Sequence, residues 1–239
     1  MAMDTAGAKE RPIGPLVDAR PAERPERVTL EGRFVTLTPL SAAAHADALF
    51  DGANGGAKDQ VWDYLFDGPY EDRAAFRANI DAKAKSEDPL FFAIIDKASG
   101  APVGYQTFLR IEPVHRVIEV GNILYTLAMQ RTPGATEAQF LFARYVFDDL
   151  GYRRYEWKCN ALNAPSRRAA QRFGFSFEGV FRQHMIVKGR NRDTAWYSML
   201  DHEWPARRAA FERWLAPDNF DANGRQIVAL SKLNGAPAS

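Results

Sequence analysis

Hydrophobic and polar positions alternate over 33–40, with Val35 and Leu37 on one side and Phe34, Thr36 and Thr38 on the other. That two-residue period predicts a strand. Ser41 then caps an alanine-rich helix over 42–50, and Ala75, Phe76 and Ile80 share one side of a second helix over 71–85. Three strand patterns follow in a row: the apolar run 90–96, then 101–111 with Val103, Tyr105, Thr107, Leu109 and Ile111 on one face, then 116–127. Short turns between them predict an antiparallel meander. From Thr136 to Gly151 the period changes to that of a helix: Ala138, Leu141, Phe142, Tyr145 and Val146 form one stripe, and Phe140 and Phe147 form a second apolar edge. A strand over 153–159 and a short helix over 163–174 come next. Asn163 is that helix's cap, Pro165 lies in its first turn and Gly174 is its stop. Residues 175–200 read as a hairpin whose tip, 188–193, is solvated, and 202–215 as an appended helix.

Outside this body the pattern fades. Residues 1–29 carry four prolines among many charges and read as an extended arm, either packed through Ile13, Leu16 and Val17 or mobile. Residues 216–239 read as a polar tail with one apolar segment at 227–230. The expected organisation is an arm (1–29), a body (30–201), and a C-terminal helix and tail (202–239) packed on that body. The order of elements predicts an α/β domain of the α+β type with a mixed, largely antiparallel sheet.

Composition narrows the function classes. In 239 residues, 46% hydrophobic and 12% aromatic content supports a packed core. Thirty-one basic against 30 acidic side chains give a net charge of +1, without the basic excess of a nucleic-acid binder. The single cysteine, Cys159, permits no internal disulfide and reads as a buried strand residue. The histidines lack metal-ligand spacing, so no metal site is expected. The longest apolar run is too short to span a bilayer, and the N-terminus has no secretory core segment, so the expected location is cytoplasmic.

The candidate chemistry lies in 125–179. A turn with Gly134 and Ala135 leads from a strand into a helix opened by Thr136 and Glu137. Such a junction can hold an anion on its backbone N–H groups, or it is an ordinary turn with a threonine cap. Taken with Thr136-Glu137-Ala138, the residues Asn160, Asn163-Ala164-Pro165-Ser166, Gly174-Phe175 and Glu178-Gly179 resemble the GNAT superfamily of acyl-CoA-dependent N-acetyltransferases. Within it the chain looks most like the branch of ribosomal-protein N-terminal acetyltransferases. The resemblance covers about residues 30–200.

It implies a GNAT-like fold and acetyl-CoA as co-substrate, with the pyrophosphate held in the turn 130–136. The cofactor-binding residues would be Leu127, Met129, Arg131, Thr132, Gly134, Ala135 and Thr136, joined by Asn160, Asn163 and Arg172. Asn163 also reads as a helix cap, and Arg172 as a solvated helix arginine. The strand ending at Leu127 would carry a bulge and splay from 153–158 to admit the pantetheine arm. The family's turn reads Gln/Arg-x-x-Gly-x-Gly/Ala, and here Pro133 takes the place of its first glycine, removing one N–H.

Acyl transfer to an amine needs the amine neutral. At pH 7 that is roughly one in ten for an α-amino group and about one in two thousand for a lysine. Glu119, expected on the face of Val117, Gly121 and Ile123, is the candidate general base, or else a solvated or salt-bridged strand glutamate. Many of these enzymes use a tyrosine as general acid where this chain has Ala170. The ribosomal branch points instead to Ser166, which equally reads as a first-turn cap. Trp62, Tyr64, Phe66 and Tyr70 either shape the acceptor pocket or form a core patch. The leading expectation is an acetyl-CoA-dependent N-acetyltransferase acting on a protein N-terminus or a small amine by direct attack. The alternatives are a non-catalytic acyl-CoA or metabolite sensor, and an interaction module. Partners on nucleic acid or membrane are not expected, and a homodimer stays open.

Overall fold

The computed structural model describes residues 13–235. Eight strands form one sheet in the order β1-β2-β3-β4-β5-β6-β8-β7. They are β1 (Leu30–Glu31), β2 (Val35–Pro39), β3 (Leu90–Asp96), β4 (Pro102–Glu112), β5 (Val117–Tyr125), β6 (Arg154–Asn160), β7 (Ser176–Val187) and β8 (Arg190–Leu200). Every neighbouring pair is antiparallel except β5–β6. The expected mixed, largely antiparallel sheet is therefore the observed one. Among the described residues no helix is long and apolar enough to cross a membrane.

Helices cover both faces and divide the core in two. On one face, α1 (Ala42–Ala53) and α2 (Arg73–Lys85) pack Leu49, Phe76 and Ile80 against Phe91, Tyr105 and Leu124. On the other, α3 (Pro133–Arg144), α4 (Ala164–Arg172), α5 (Trp204–Leu215) and α6 (Leu230–Leu233) join the larger core with Phe92, Phe108, Tyr155 and Tyr197. The two apolar edges expected on α3 are both used. Phe142 stacks on Phe108 beneath the helix, while Phe140 meets Trp204 and Phe211 of α5.

Several local expectations are corrected. Helix α3 starts three residues early: Thr132 is its cap, with Oγ1 accepting from the Ala135 N–H at 3.2 Å, and Pro133 is its first residue. Proline's fixed φ suits that position, where no intrahelical N–H is needed. Glu137 is no helix opener but a buried latch. Its carboxylate accepts the backbone N–H groups of Arg33, Phe34 and Val35 at 2.7, 2.6 and 2.9 Å. After Arg144 the helix loosens into a π turn, Tyr145–Asp149, which places Phe147 on Trp204. The tip of the last hairpin is only Lys188-Gly189, both at positive φ as a tight two-residue turn requires. Arg190–Asp193 thus belong to β8, and Lys188 folds back to donate to the Trp62 carbonyl at 2.9 Å.

The arm does not attach through Ile13, Leu16 and Val17, which are exposed. It is held by its backbone: the Ala22 N–H donates to Pro113 O, and the Glu26 N–H to the Tyr145 hydroxyl. The tail is more ordered than its polarity suggests. Asn219 is buried, and its amide bonds the Trp214 and Val228 carbonyls at 3.0 and 3.1 Å.

Candidate active site

The site begins where β5 and β6 part. They pair as parallel neighbours from Val117 with Arg154 to Val120 with Trp157. Beyond that both strands run on, β5 held on its far side by β4 and β6 by β8. Each therefore turns an unpaired backbone edge toward the other. The expected bulge is in β5: Thr107 faces Gly121 but Tyr105 faces Leu124, and the extra residue is accommodated at Asn122, with φ 46°. The bulge also reverses the alternation. Ile118, Val120 and Ile123 reach the α3 side and Leu124 the α1–α2 side, so Ile123 does not share the face of Glu119 as expected.

This opening is the middle of a groove of about 1680 Å³. Of the expected residues, it brings together Glu119, Arg131, Thr132, Ala135, Thr136, Asn160, Asn163, Ser166 and Arg172. Gly134 is buried just behind, where an added β-carbon would lie 2.8 Å from Val35 Cγ1. Leu127 and Met129 are not brought in: Leu127 is 42% exposed outside the groove lining, and Met129 is buried in the core.

At one end lies the start of α3. Its first turn has few amides to offer. Pro133 has no N–H, and the Ala135 N–H is taken by Thr132 Oγ1, while that of Gly134 has no partner among the described residues. Side chains supply the positive charge instead. Arg131, Arg168, Arg172 and Arg225 line the groove, whereas its only lining carboxylates among the described residues are Asp63 and Glu119. Arg172 is not the solvated helix arginine of the alternative reading. Nη1 donates to Thr136 Oγ1 at 3.0 Å, its guanidinium lies 4.8 Å from the Trp214 ring centroid, and no described carboxylate pairs with it. Burial pushes its pKa down to about 10.

In the middle, Asn163 caps α4, its Oδ1 accepting from the Ser166 N–H at 3.0 Å. Ser166 is thereby freed from capping. Its hydroxyl accepts from Trp157 Nε1 at 3.0 Å and faces the groove. Asn160 Oδ1 accepts the Leu162 N–H at 2.9 Å, fixing the end of β6. Cys159 is buried beside Ser166, and burial raises its thiol pKa, the reverse of what a thiolate nucleophile needs.

At the other end Glu119, 4% exposed, holds two cations on one oxygen: Lys158 Nζ at 2.9 Å and Arg110 Nε at 3.1 Å from Oε2. Oε1 has no partner among the described residues. It is thus a buried, paired carboxylate and not a solvated one. Burial raises its pKa above the ordinary value, and Lys158 and Arg110 only partly offset that. Lys158 also meets Glu156 at 2.6 Å and lies 3.8 Å from the Trp196 ring centroid. The expected aromatic cluster divides. Trp62 and Tyr70 pack with Phe76 in the smaller core, while Tyr64 and Phe66 are half exposed and line the groove.

The sequence reading missed Arg110, Lys158, His184, Arg192 and Trp196. They come from four strands and meet only through the register of β4, β6, β7 and β8. The tail was missed too. Trp214, Phe220 and Gln226 line the groove near Arg172, with Trp214 Nε1 donating to Gln226 Oε1 at 2.7 Å.

The acetyltransferase (GNAT) domain family matches residues 35–176, and the chain belongs to that family. A GCN5-related N-acetyltransferase from Brucella melitensis is 55% identical; the alignment covers 90% of this chain and 98% of that one, with a TM-score of 0.89. A Chromobacterium violaceum protein, named as a candidate acetyltransferase of the GNAT family, is 40% identical over 84% of this chain and all of that one (100%), with a TM-score of 0.76. A Bacillus subtilis protein, YdaF, named as a candidate ribosomal N-acetyltransferase, is 28% identical over 111 residues. That stretch is 46% of this chain and 59% of the relative, so it spans less than two thirds of that protein.

Proposed function

We propose that the chain is an acetyl-CoA-dependent N-acetyltransferase that moves the acetyl group to a primary amine by direct attack within a ternary complex. One observation carries this reading: the splayed β5–β6 edges have an arginine-rich, carboxylate-free end on one side and the buried carboxylate of Glu119 on the other. The groove fits the carrier chemically, because Arg172 is a half-buried cation with no described carboxylate paired to it and matches a phosphate. Bound acetyl-CoA supplies the activated thioester.

The chain's own residues do the rest. Arg172, Arg131 and the first turn of α3 hold phosphate charge. The unpaired edge of β5 at the bulge offers backbone groups to the carrier's amides, and an N–H to polarise a carbonyl. Glu119 Oε1 takes a proton from the incoming ammonium, directly or through one water. Ser166, set by Trp157 and freed from capping by Asn163, is placed to return a proton to a leaving thiolate. A covalent acyl-enzyme is not required, since Cys159 is held as a buried thiol. The acceptor is a protein N-terminus or a small amine; the name of the Bacillus subtilis relative supports the former.

Two measurements test the reading. Calorimetry with coenzyme A should give saturable binding, and release of free thiol from acetyl-CoA should depend on an added primary amine. A flat titration at millimolar coenzyme A would sink the proposal. Binding without thiol release across a broad amine panel would leave a sensor on the same fold.

A further inference from the structure

The acceptor side of the groove contains a charge for which the mechanism above has no use. Arg192 lies on β8 in alternation with Thr194 and Trp196, and so on the same sheet face as Lys158, which pairs with Trp196. It is 8% exposed and lines the groove. Its Nε donates to Thr194 Oγ1 at 3.2 Å, and its guanidinium carbon lies 5.2 Å from the centroid of the Phe66 ring. Among the described residues no carboxylate lies within ion-pair distance of it, and no acceptor meets its two terminal nitrogens.

A buried cation without an ion-pair partner is costly. Burial pushes the Arg192 pKa down, and the opposing influence of Cys159 and Glu119 offsets that only in part. His184 is depressed first by burial and then by Arg110, Arg192 and Lys158 together. Glu119 and Glu156 are already committed: Glu119 to Arg110 and Lys158, Glu156 to Lys158 and Arg154. Arg110, Lys158 and Arg192 thus outnumber Glu119 and Glu156, and Asp63, the other carboxylate lining the groove, makes no ion pair with Arg192. Holding Thr194 alone would not call for a guanidinium. A planar fork with Phe66 at its side and its terminal donors uncommitted matches the geometry of an oxyanion.

We propose that Arg192 is a specificity residue of the acceptor site, and that the amine acetylated here carries an oxyanion, carboxylate or phosphate, which pairs with the Arg192 guanidinium while the amino group lies toward Glu119. This rests on the acetyltransferase reading above. The same surplus of positive charge works against polycationic acceptors such as polyamines.

The test measures thiol release from acetyl-CoA with isosteric amine pairs. A series of ω-amino carboxylates from glycine to aminohexanoate is set against the matching carboxamides, because the distance between amine and anion is open. O-phosphoethanolamine is set against ethanolamine, and short peptide amides with Asp second against those with Asn second. The expected result is a preference of tenfold or more in kcat/KM for at least one anionic member, expressed in KM. In Arg192→Gln the ratio should fall to near one as KM for the anionic member rises. Arg192→Lys, which keeps the charge and loses the fork, should fall between the two and serves if the glutamine variant does not fold. Equal use of neutral and anionic partners by the wild type, or a ratio unchanged in Arg192→Gln, overturns the inference while the enzyme reading stands. Coenzyme A binding with no thiol release from any amine, charged or neutral, overturns both.

Discussion

At the scale of single residues, the site is a contest between burial and charge. Glu119 has two cations on one oxygen, which alone would depress its pKa, yet it is buried deeply enough that desolvation wins and the pKa rises. A general base works only when deprotonated, so activity should climb with pH through a limb above the ordinary carboxylate value of 4.5. Glu119→Gln should lower kcat by about 10²-fold or more and remove that limb. A pH–rate profile of kcat/KM from pH 5 to 9 checks this; an unchanged limb assigns it to another group. Arg172 shows the complementary case. Its unpaired charge costs stability in the free protein that a bound phosphate would return. Arg172→Gln should therefore raise the Kd for coenzyme A about 10- to 100-fold, the range of a charge-assisted hydrogen bond worth about 1.5–3 kcal/mol. The Tm without ligand should not fall by a matching amount. Calorimetry and a melting curve of the same sample separate the two effects.

At the scale of elements, what the sequence reveals depends on whether the cause is local. The stripe Ala138, Leu141, Phe142, Tyr145 and Val146 and the cap at Asn163 are local, and both are observed. The start of α3 was displaced because Thr132 and Thr136 are equally good caps by type, and Pro133 settles the choice only once the turn's direction is known. The face of Ile123 was misjudged because one inserted residue at Asn122 reverses every later position. Arg110, Lys158 and Arg192 could not be grouped because strand register, invisible in a single sequence, brings them together. Glu137 is the sharpest example. Its spacing says helix, but its work is done about a hundred residues away, where it accepts three N–H groups at the entry to β2. Gly32 is part of that latch, since a β-carbon there would lie 2.3 Å from the Glu137 carboxylate. Glu137→Gln puts a donor where only acceptors fit. It should cost about 1–3 kcal/mol, read as a lower urea midpoint with an unchanged m-value.

At the scale of the whole molecule, the two cores have different relations to the groove. The smaller core under α1 and α2 supports the segment that carries Tyr64 and Phe66, on the acceptor side. The larger core extends past the family's matched region, through α5, to the tail that walls the groove beside Arg172. Trp214 joins these parts. Its ring lies against Arg172 and edge-on to Phe220, and its Nε1 holds Gln226. Losing it should therefore do two things at once. Trp214→Ala opens a buried cavity, costing about 3–5 kcal/mol, which at about 2–4 °C per kcal/mol lowers the Tm by roughly 6–20 °C. It also releases Arg172 and the tail, so coenzyme A should bind more weakly at a temperature where the variant is still fully folded. Phe76→Leu, buried in the smaller core, is the comparison: it should lower the Tm and leave the Kd for coenzyme A where it was. If both variants bind coenzyme A as the wild type does, the tail is scaffold and the grip on the carrier ends at α4. If both weaken it equally, global softening is the cause, and Trp214 has no special place in the groove.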